Sequence, residues 1–448
     1  MKKISMLLLI CTVVCCCFYS CKTEEQNHSQ LSKEETRDES LTLEDAESST
    51  TPKVTESSEM SELESSCWET SDEVSESKED LGVENLTFEL NDDKESYKVV
   101  RCDKNATKVV IPKYYDSKPV TIIGFQAFAD CTSIVSVTIP NTVEFIGGEA
   151  FASCSSLESI SIPDSVDYIT FGMFTHCKSL KSISISDSVK HIHDCVFTET
   201  AYYEDKSNWE NGVLYIGKHL IAAEDTIEGN YVIKDGTKTI ANNAFIFCPY
   251  LESITIPESV VTIGQGAFNR CESLAEIIIP DTVFAIKSDV FFETAYYKNK
   301  SNWKSGALYV GNHLIKVEQD KTGVFEIREG TKTIADNAVG GCRKLTEIII
   351  PDSVVSIGSN AFSVCDSLER VIIPNSVISI DSYAFKRCTS LASITIPQSV
   401  SYIGSCVFTS WNSLQTIYIE SEFSNLYIWL PTWEKESEAK IVFVGHNF

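Results

Sequence analysis

A phenylalanine that returns every 23 residues constrains this chain more than its composition does. Phe128, Phe151, Phe174 and Phe197 keep that step, then Phe245, Phe268 and Phe291, then Phe362, Phe385 and Phe408, with Val339 one step before Phe362. Between these three blocks the step is 48. The frame around each mark reads L-x-x-I-x-I-P-x-S-V-x-x-I-x-x-x-A-F-x-x-C-x-S. Self-similarity at a fixed period in the twenties marks a solenoid, in which one short unit is stacked on copies of itself.

One coil can be followed residue by residue. Leu157, Ile160 and Ile162 face one side and Ser159 and Ser161 the other, the alternation of a strand. Pro163 stops it, and Asp164 and Ser165 turn the chain. Val166 and Ile169 return apolar groups to the interior, and "FGMFTHC" offers a short helical turn that buries Phe174 and Cys177. About eight apolar groups at ~1.5–3 kcal/mol for each large side chain cannot offset 23 residues at ~1–2 kcal/mol of backbone entropy each. A lone coil loses. Stacking is obligatory.

The stretch "SLESISIPDSVDYITFGMFTHC", with its I-P-x-S-V and A-F-x-x-C elements, resembles the BspA-like leucine-rich-repeat family over about residues 100–420. The resemblance implies an α/β leucine-rich-repeat solenoid of stacked parallel strands with short helices or turns on the opposite side. It also implies a surface protein that adheres to host or microbial surface proteins, such as extracellular-matrix components. The frame has departures. Ser186 stands for Pro, Val339 for Phe, and Thr200, Thr294 and Trp411 for Cys.

The N-terminus reads as an address. In "MKKISMLLLICTVVCCCFYSC" two lysines precede an apolar run, and Ser20 precedes Cys21. That layout is a secretory signal of lipoprotein type over residues 1–21, with Cys21 as lipid acceptor. Cys15, Cys16 and Cys17 are rival acceptors, and an uncleaved helix over residues 4–20 is the alternative anchor. Either way the bulk of the chain lies outside the cytoplasm. Residues 22–81 are Ser, Thr and Glu with few aromatics, a composition that stays disordered and extends as a tether. The solenoid spans 82–420 and a cap 421–448. A net charge of −27 repels phosphate backbones, which argues against a nucleic-acid partner.

The 48-residue steps mark insertions near 198–233 and 292–327. "TETAYYEDKSNWENGVLYIGKHLI" and "FETAYYKNKSNWKSGALYVGNHLI" are near copies 94 residues apart, each ending in a hairpin with a Gly-Lys or Gly-Asn turn. Tyr202, Tyr203 and Trp209 recur as Tyr296, Tyr297 and Trp303. Such aromatics form glycan or protein contacts, or, more plainly, pack the insertion onto its coil. Glu204-Asp205 becomes Lys298-Asn299 in the second copy, a change that a catalytic charge would not tolerate.

Motifs for chemistry are thin. "HIHDC" has His-x-His spacing with Ile192 in the core position and His191 and His193 on the expected exposed flanks, but no further metal ligand is in view. His219 and His313 sit in the hairpins, away from any nucleophile context. No cofactor motif and no enzyme follow. Eight cysteines hold one frame position (Cys131, Cys154, Cys177, Cys248, Cys271, Cys342, Cys365 and Cys388) and read as buried, unpaired small hydrophobes, because stacked side chains point in parallel.

What remains is the outward side of the strands. Ser and Thr dominate it, except where Ile278, Ile349, Ile372 and Tyr418 lie beside Glu347 and Arg370. A few substitutions on a long regular surface can specify a protein partner. The expected function is cell-surface binding or adhesion through these residues. The alternatives are a carbohydrate-binding protein using Trp209 and Trp303, and a structural envelope component. If Cys21 carries the anchor, Cys21→Ser releases the protein from membranes and abolishes labelling by a fatty-acid analogue; continued labelling moves the anchor to Cys15–Cys17.

Overall fold

The computed structural model describes residues 83–420 and 432–444. Cys21, the signal, the tether and much of the C-terminal cap lie outside them. The described chain is a parallel β-solenoid with few helices. Each coil contributes two strands. The first, such as Ser159–Ser161, carries the I-x-I pattern; the second is a two-residue strand such as Tyr168–Ile169. First strands pair in parallel and in register with those one step away, Ser159 with Ser182, Ile160 with Ile183 and Ser161 with Ser184.

The recurrent residues of the frame serve the stack. Proline's carbonyl accepts from the valine three residues on, as in Val166 N to Pro163 O at 3.1 Å, and so closes the turn between the strands. The serine before that valine donates across coils, Ser376 Oγ to Val354 O at 2.7 Å and Ser399 Oγ to Val377 O at 2.8 Å. Phenylalanines stack in ladders, with ring centroids 4.8, 5.5 and 5.9 Å apart from Phe128 to Phe197.

Cysteine's place in the frame also has a bonding reason. Each frame thiol is buried, and four of the eight donate to the carbonyl of the phenylalanine 26 residues earlier: Cys154 to Phe128 at 3.1 Å, Cys177 to Phe151 at 3.0 Å, Cys271 to Phe245 at 3.0 Å and Cys388 to Phe362 at 3.2 Å. Trp411, in a cysteine slot, does the same with its indole, Nε1 to Phe385 O at 2.9 Å. Thr200 and Thr294 do something else. Each bonds its own coil's phenylalanine carbonyl at 2.8 Å and caps a four-residue helix, Ala201–Glu204 or Ala295–Lys298. Those are the places where the period breaks.

The side opposite the strands is built of turns rather than helices. In the third coil Gly172 and His176 both take left-handed backbone, φ 59° and 63°, and equivalent pairs such as Gln126 and Asp130 recur. Two left-handed residues within five interrupt any helix, so "FGMFTHC" forms a corner of single turns, Thr175 N to Gly172 O and Cys177 N to Phe174 O, that buries Phe174 and Cys177.

Each insertion starts a coil of its own. Val213–Ile216 and His219–Ala223 form an antiparallel hairpin about Gly217, and His219–Ala223 then pairs in parallel with Thr239–Ile240. Ala307–Val310 and His313–Val317 repeat this against Thr333–Ile334. Leu86–Leu90 and Tyr97–Cys102 make a similar hairpin at the start of the solenoid, Tyr97–Cys102 pairing in parallel with Lys118–Ile123. All three blocks therefore open on a hairpin. In the first insertion Leu214, Ile216 and Ile221 pack into the core of the preceding block, while Val213, Tyr215 and Leu220 pack into the next. A strand buried on both faces reads as a continuous apolar run, which accounts for "VLYI" and "ALYV".

Titration of the described cysteines should find Cys195 reactive in the folded protein, since it is exposed, and the frame thiols reactive only after unfolding without reductant. Burial pushes Cys388 up to about 12, far from the thiolate form. Disulfides among the frame cysteines would overturn the ladder. Trp411→Phe keeps an aromatic ring but leaves the Phe385 carbonyl with the Cys388 N–H alone, at 3.3 Å, and loss of the indole bond should cost about 0.5–1.5 kcal/mol in chemical denaturation.

Candidate functional site: the first-strand face

The first strands do not form one uninterrupted sheet. They fall into a four-stranded sheet from Lys108–Val110 to Ser182–Ser184 and three sheets of three strands each. One of these contains Thr322–Glu326, Lys344–Ile349 and Arg370–Ile372. Its register aligns Val324 with Glu347 and Arg370, and Glu326 with Ile349 and Ile372. Ile348 and Val371, between the outward residues, are buried, so alternation alone turns Ile349 and Ile372 outward. They are 43% and 63% exposed, and Val324 beside them is 51% exposed.

Glu347, Ile349, Arg370 and Ile372 therefore come together as one patch. Arg370 Nε lies 3.5 Å from Glu347 Oε1. That exposed pair is worth less than about 1 kcal/mol but fixes the guanidinium over the strand. A shallow groove of about 600 Å³ runs alongside, lined by Glu369, Arg370, Ile372, Asn375, Ser393 and Thr395 among others. It lies between Arg370–Ile372, the last strand of its sheet, and Ser393–Ile396, the first of the next.

Two members of the expected row lie apart from this patch. Ile278 ends a strand in the preceding sheet, paired with Thr255 and separated by the second insertion. Tyr418 belongs to the following sheet, is half-buried, and pairs with Thr395 and Val442. Val324 was not singled out from the sequence. Its strand lies within 292–327, which reads as insertion, although "GVFEI" there already carries the frame's alternation.

Trp209 and Trp303 are half-buried at the base of the hairpins. Each indole Nε1 donates to a tyrosine carbonyl, Tyr203 O or Tyr297 O, at 2.8 Å, and each ring meets that tyrosine edge-on at 5.2 or 5.3 Å. Lys206 Nζ sits 3.7 Å from the Trp209 ring centroid and Lys300 Nζ 4.6 Å from that of Trp303. Both lysines are held by acids, Glu224 at 2.9 Å and Glu318 at 3.0 Å. The indole faces are occupied from within.

Ionisable groups also converge where the blocks meet. Lys287 Nζ bonds Asp381 at 2.7 Å, 94 residues away, and lies 3.8 Å from Asp336, with all three side chains largely shielded. Burial would lower the Lys287 ammonium, but the two carboxylates outweigh it and hold it above its usual range. Burial pushes Asp336 up to about 7, while Lys287 holds Asp381 below the usual carboxylate range against the same penalty. His191 stands near this cluster, its ring tilted 46° against Tyr168 at 5.6 Å. Burial first, then Lys287, takes it down to about 4. Neither His191 nor His193 lies on an exposed flank; both are half-buried, and Lys287 and Asp381 from later coils act on His191. Among the described residues no three His, Cys, Asp or Glu side chains group as a metal site, and no helix is long and apolar enough to cross a membrane.

Comparison with known proteins bears on the repeat. No curated protein matches the chain. A leucine rich cell surface protein from Faecalibacterium prausnitzii A2-165 is 23% identical, covering 81% of this chain and 94% of its own, with a TM-score of 0.29. A leucine-rich repeat protein from Bacteroides ovatus ATCC 8483 is 23% identical over 80% of this chain and 98% of its own, TM-score 0.30. The pneumococcal vaccine antigen PcpA is 17% identical over 81% and 98%, TM-score 0.23. The family model described as "BspA type Leucine rich repeat region" matches with six copies over residues 100–228, 205–304 and 318–429. Those matches take in well over half of the sequence, and the chain belongs to the BspA-type leucine-rich-repeat family.

Proposed function

We propose that the protein is a cell-surface binding module that engages an extracellular protein, from host matrix or another microbial surface, through the patch around Ile349 and Ile372. The observation that carries this reading is the pair of exposed isoleucines in register on adjacent strands, at positions where the coils of the first block carry Ser or Thr. Covering such side chains removes apolar area from water without disturbing a core. Glu326, Glu347 and Glu369 surround the patch, so a partner with basic groups around an apolar centre suits it. The N-terminal sequence supports secretion and lipid anchoring at Cys21, with the acidic stretch 22–81 as a tether. A glycan reading at Trp209 and Trp303 is weaker, because lysines already cover the rings.

The test is binding of the full chain to immobilised extracellular-matrix proteins and to a glycan array. Ile349→Ser with Ile372→Ser copies what other coils carry at these positions. Stability should change by no more than about 0.5 kcal/mol per site, while affinity for the protein ligand should fall by about 1–3 kcal/mol. Unchanged affinity would remove the patch from the binding face. Glycan binding lost in Trp209→Ala and Trp303→Ala, without protein binding, would favour the second reading.

A further inference from the structure

One fully buried histidine closes each block junction. His219 and His313 open the inner strands of the two hairpins, 94 residues apart, and both are 0% exposed. Each imidazole reaches back to the preceding block. His219 Nε2 lies 3.0 Å from Ser186 O, and His313 Nε2 lies 3.1 Å from Pro280 O. A carbonyl only accepts, so Nε2 carries the hydrogen and Nδ1 keeps the lone pair. Neither Nδ1 meets a hydrogen-bonding partner among the described residues. The junction needs the neutral ring. A second proton would put a charge at a buried atom with no acceptor.

The rest of each junction is duplicated. Thr239 Oγ1 donates to Val189 O at 3.0 Å and Thr333 Oγ1 to Val283 O at 2.9 Å. Asn242 N bonds Ile192 O at 2.9 Å and Asp336 N bonds Ile286 O at 3.0 Å. Near His219 the charged groups are Asp187 and Lys218, which pair with each other; near His313 there is Asp281, which accepts from Asn312 at 2.9 Å. Burial is the largest influence on both rings and holds them below the ordinary histidine range, against the pull of the carbonyls and acids.

We propose that His219 and His313 make the two block junctions acid-sensitive, a paired switch that keeps the hairpins seated at neutral pH and loosens them in acid. An opened junction exposes a histidine that titrates near 6.5, so opening takes up a proton. Opening therefore becomes easier by about tenfold for each pH unit below 6.5, until the buried ring itself is protonated. Other groups at the junctions bear on the size of the effect. Asp336 works the opposite way, since its raised value favours the closed form in acid; Asn242 holds the matching place at the first junction. The first junction should respond more sharply. Burial would raise Asp194 at that junction, but His193 and Asn243 hold it below the usual carboxylate range, and it stays ionised throughout. His191, lowered by burial, acts in the same direction as the junction histidines but outside the hairpins.

Hydrogen exchange of the full chain, corrected for intrinsic rates, reads this locally. Protection of residues 213–223 should fall about tenfold between pH 7.5 and pH 5.5, and residues 307–317 by less. His219→Gln with His313→Gln keeps an N–H for each carbonyl and cannot titrate, so its profile should be flat. Unchanged wild-type protection, or an equal fall in the double variant, would overturn the proposal. Should that variant fold poorly, NMR titration of the wild-type imidazoles decides: titration of both at or above 6.5 sinks the idea, and values well below support it.

Discussion

Everything in this molecule follows from a backbone that cannot satisfy itself within one coil. The strands are two to six residues long, and outside the hairpins their N–H and C=O groups pair with the coils before and after. The recurrent side chains extend that dependence. Serine bonds a valine carbonyl 22 residues back, and cysteine a phenylalanine carbonyl 26 residues back. Positions that might carry chemistry in another fold are used here to fasten neighbours. The frame is bland because its polar atoms are already engaged.

The hairpins change what stacking can do. A plain coil has the same kind of neighbour on each side, whereas the first hairpin ends one core and begins another, and the second is buried on both faces within a core that continues through it. At the second of these places Lys287 of the second block reaches Asp381 of the third. The first-strand face is divided at the same places and once more between Arg370–Ile372 and Ser393–Ile396, and the Ile349–Ile372 patch occupies one of the resulting sheets.

Much of this was legible in the sequence. The period placed every ladder phenylalanine, and two-residue alternation correctly turned Ile349 and Ile372 outward and Ile348 inward. Corner geometry was not legible, because a compact apolar run suits a helical turn as well as two left-handed residues, and side chains such as His176 do not announce positive φ. Trp411 looked like a lost cysteine, since the shared property is a donor aimed at a carbonyl rather than size or polarity. The inward burial of His191 depends on residues far along the chain, and no local pattern encodes that. Ile278 and Tyr418 were grouped with the patch because a linear frame has no record of where the sheet breaks.

The two-faced hairpin has a consequence for how such a chain can grow. A segment that starts with a lid fitting any preceding coil, and ends in a coil that accepts the same lid, is compatible with itself head to tail. The near-identical stretches 94 residues apart are what one tandem copying event would leave. Removing or adding a whole segment would preserve both termini and every joint, while changing the molecule's reach and the number of separate faces it offers. Variation in length, by whole segments, is open to this architecture without inventing a new fold contact.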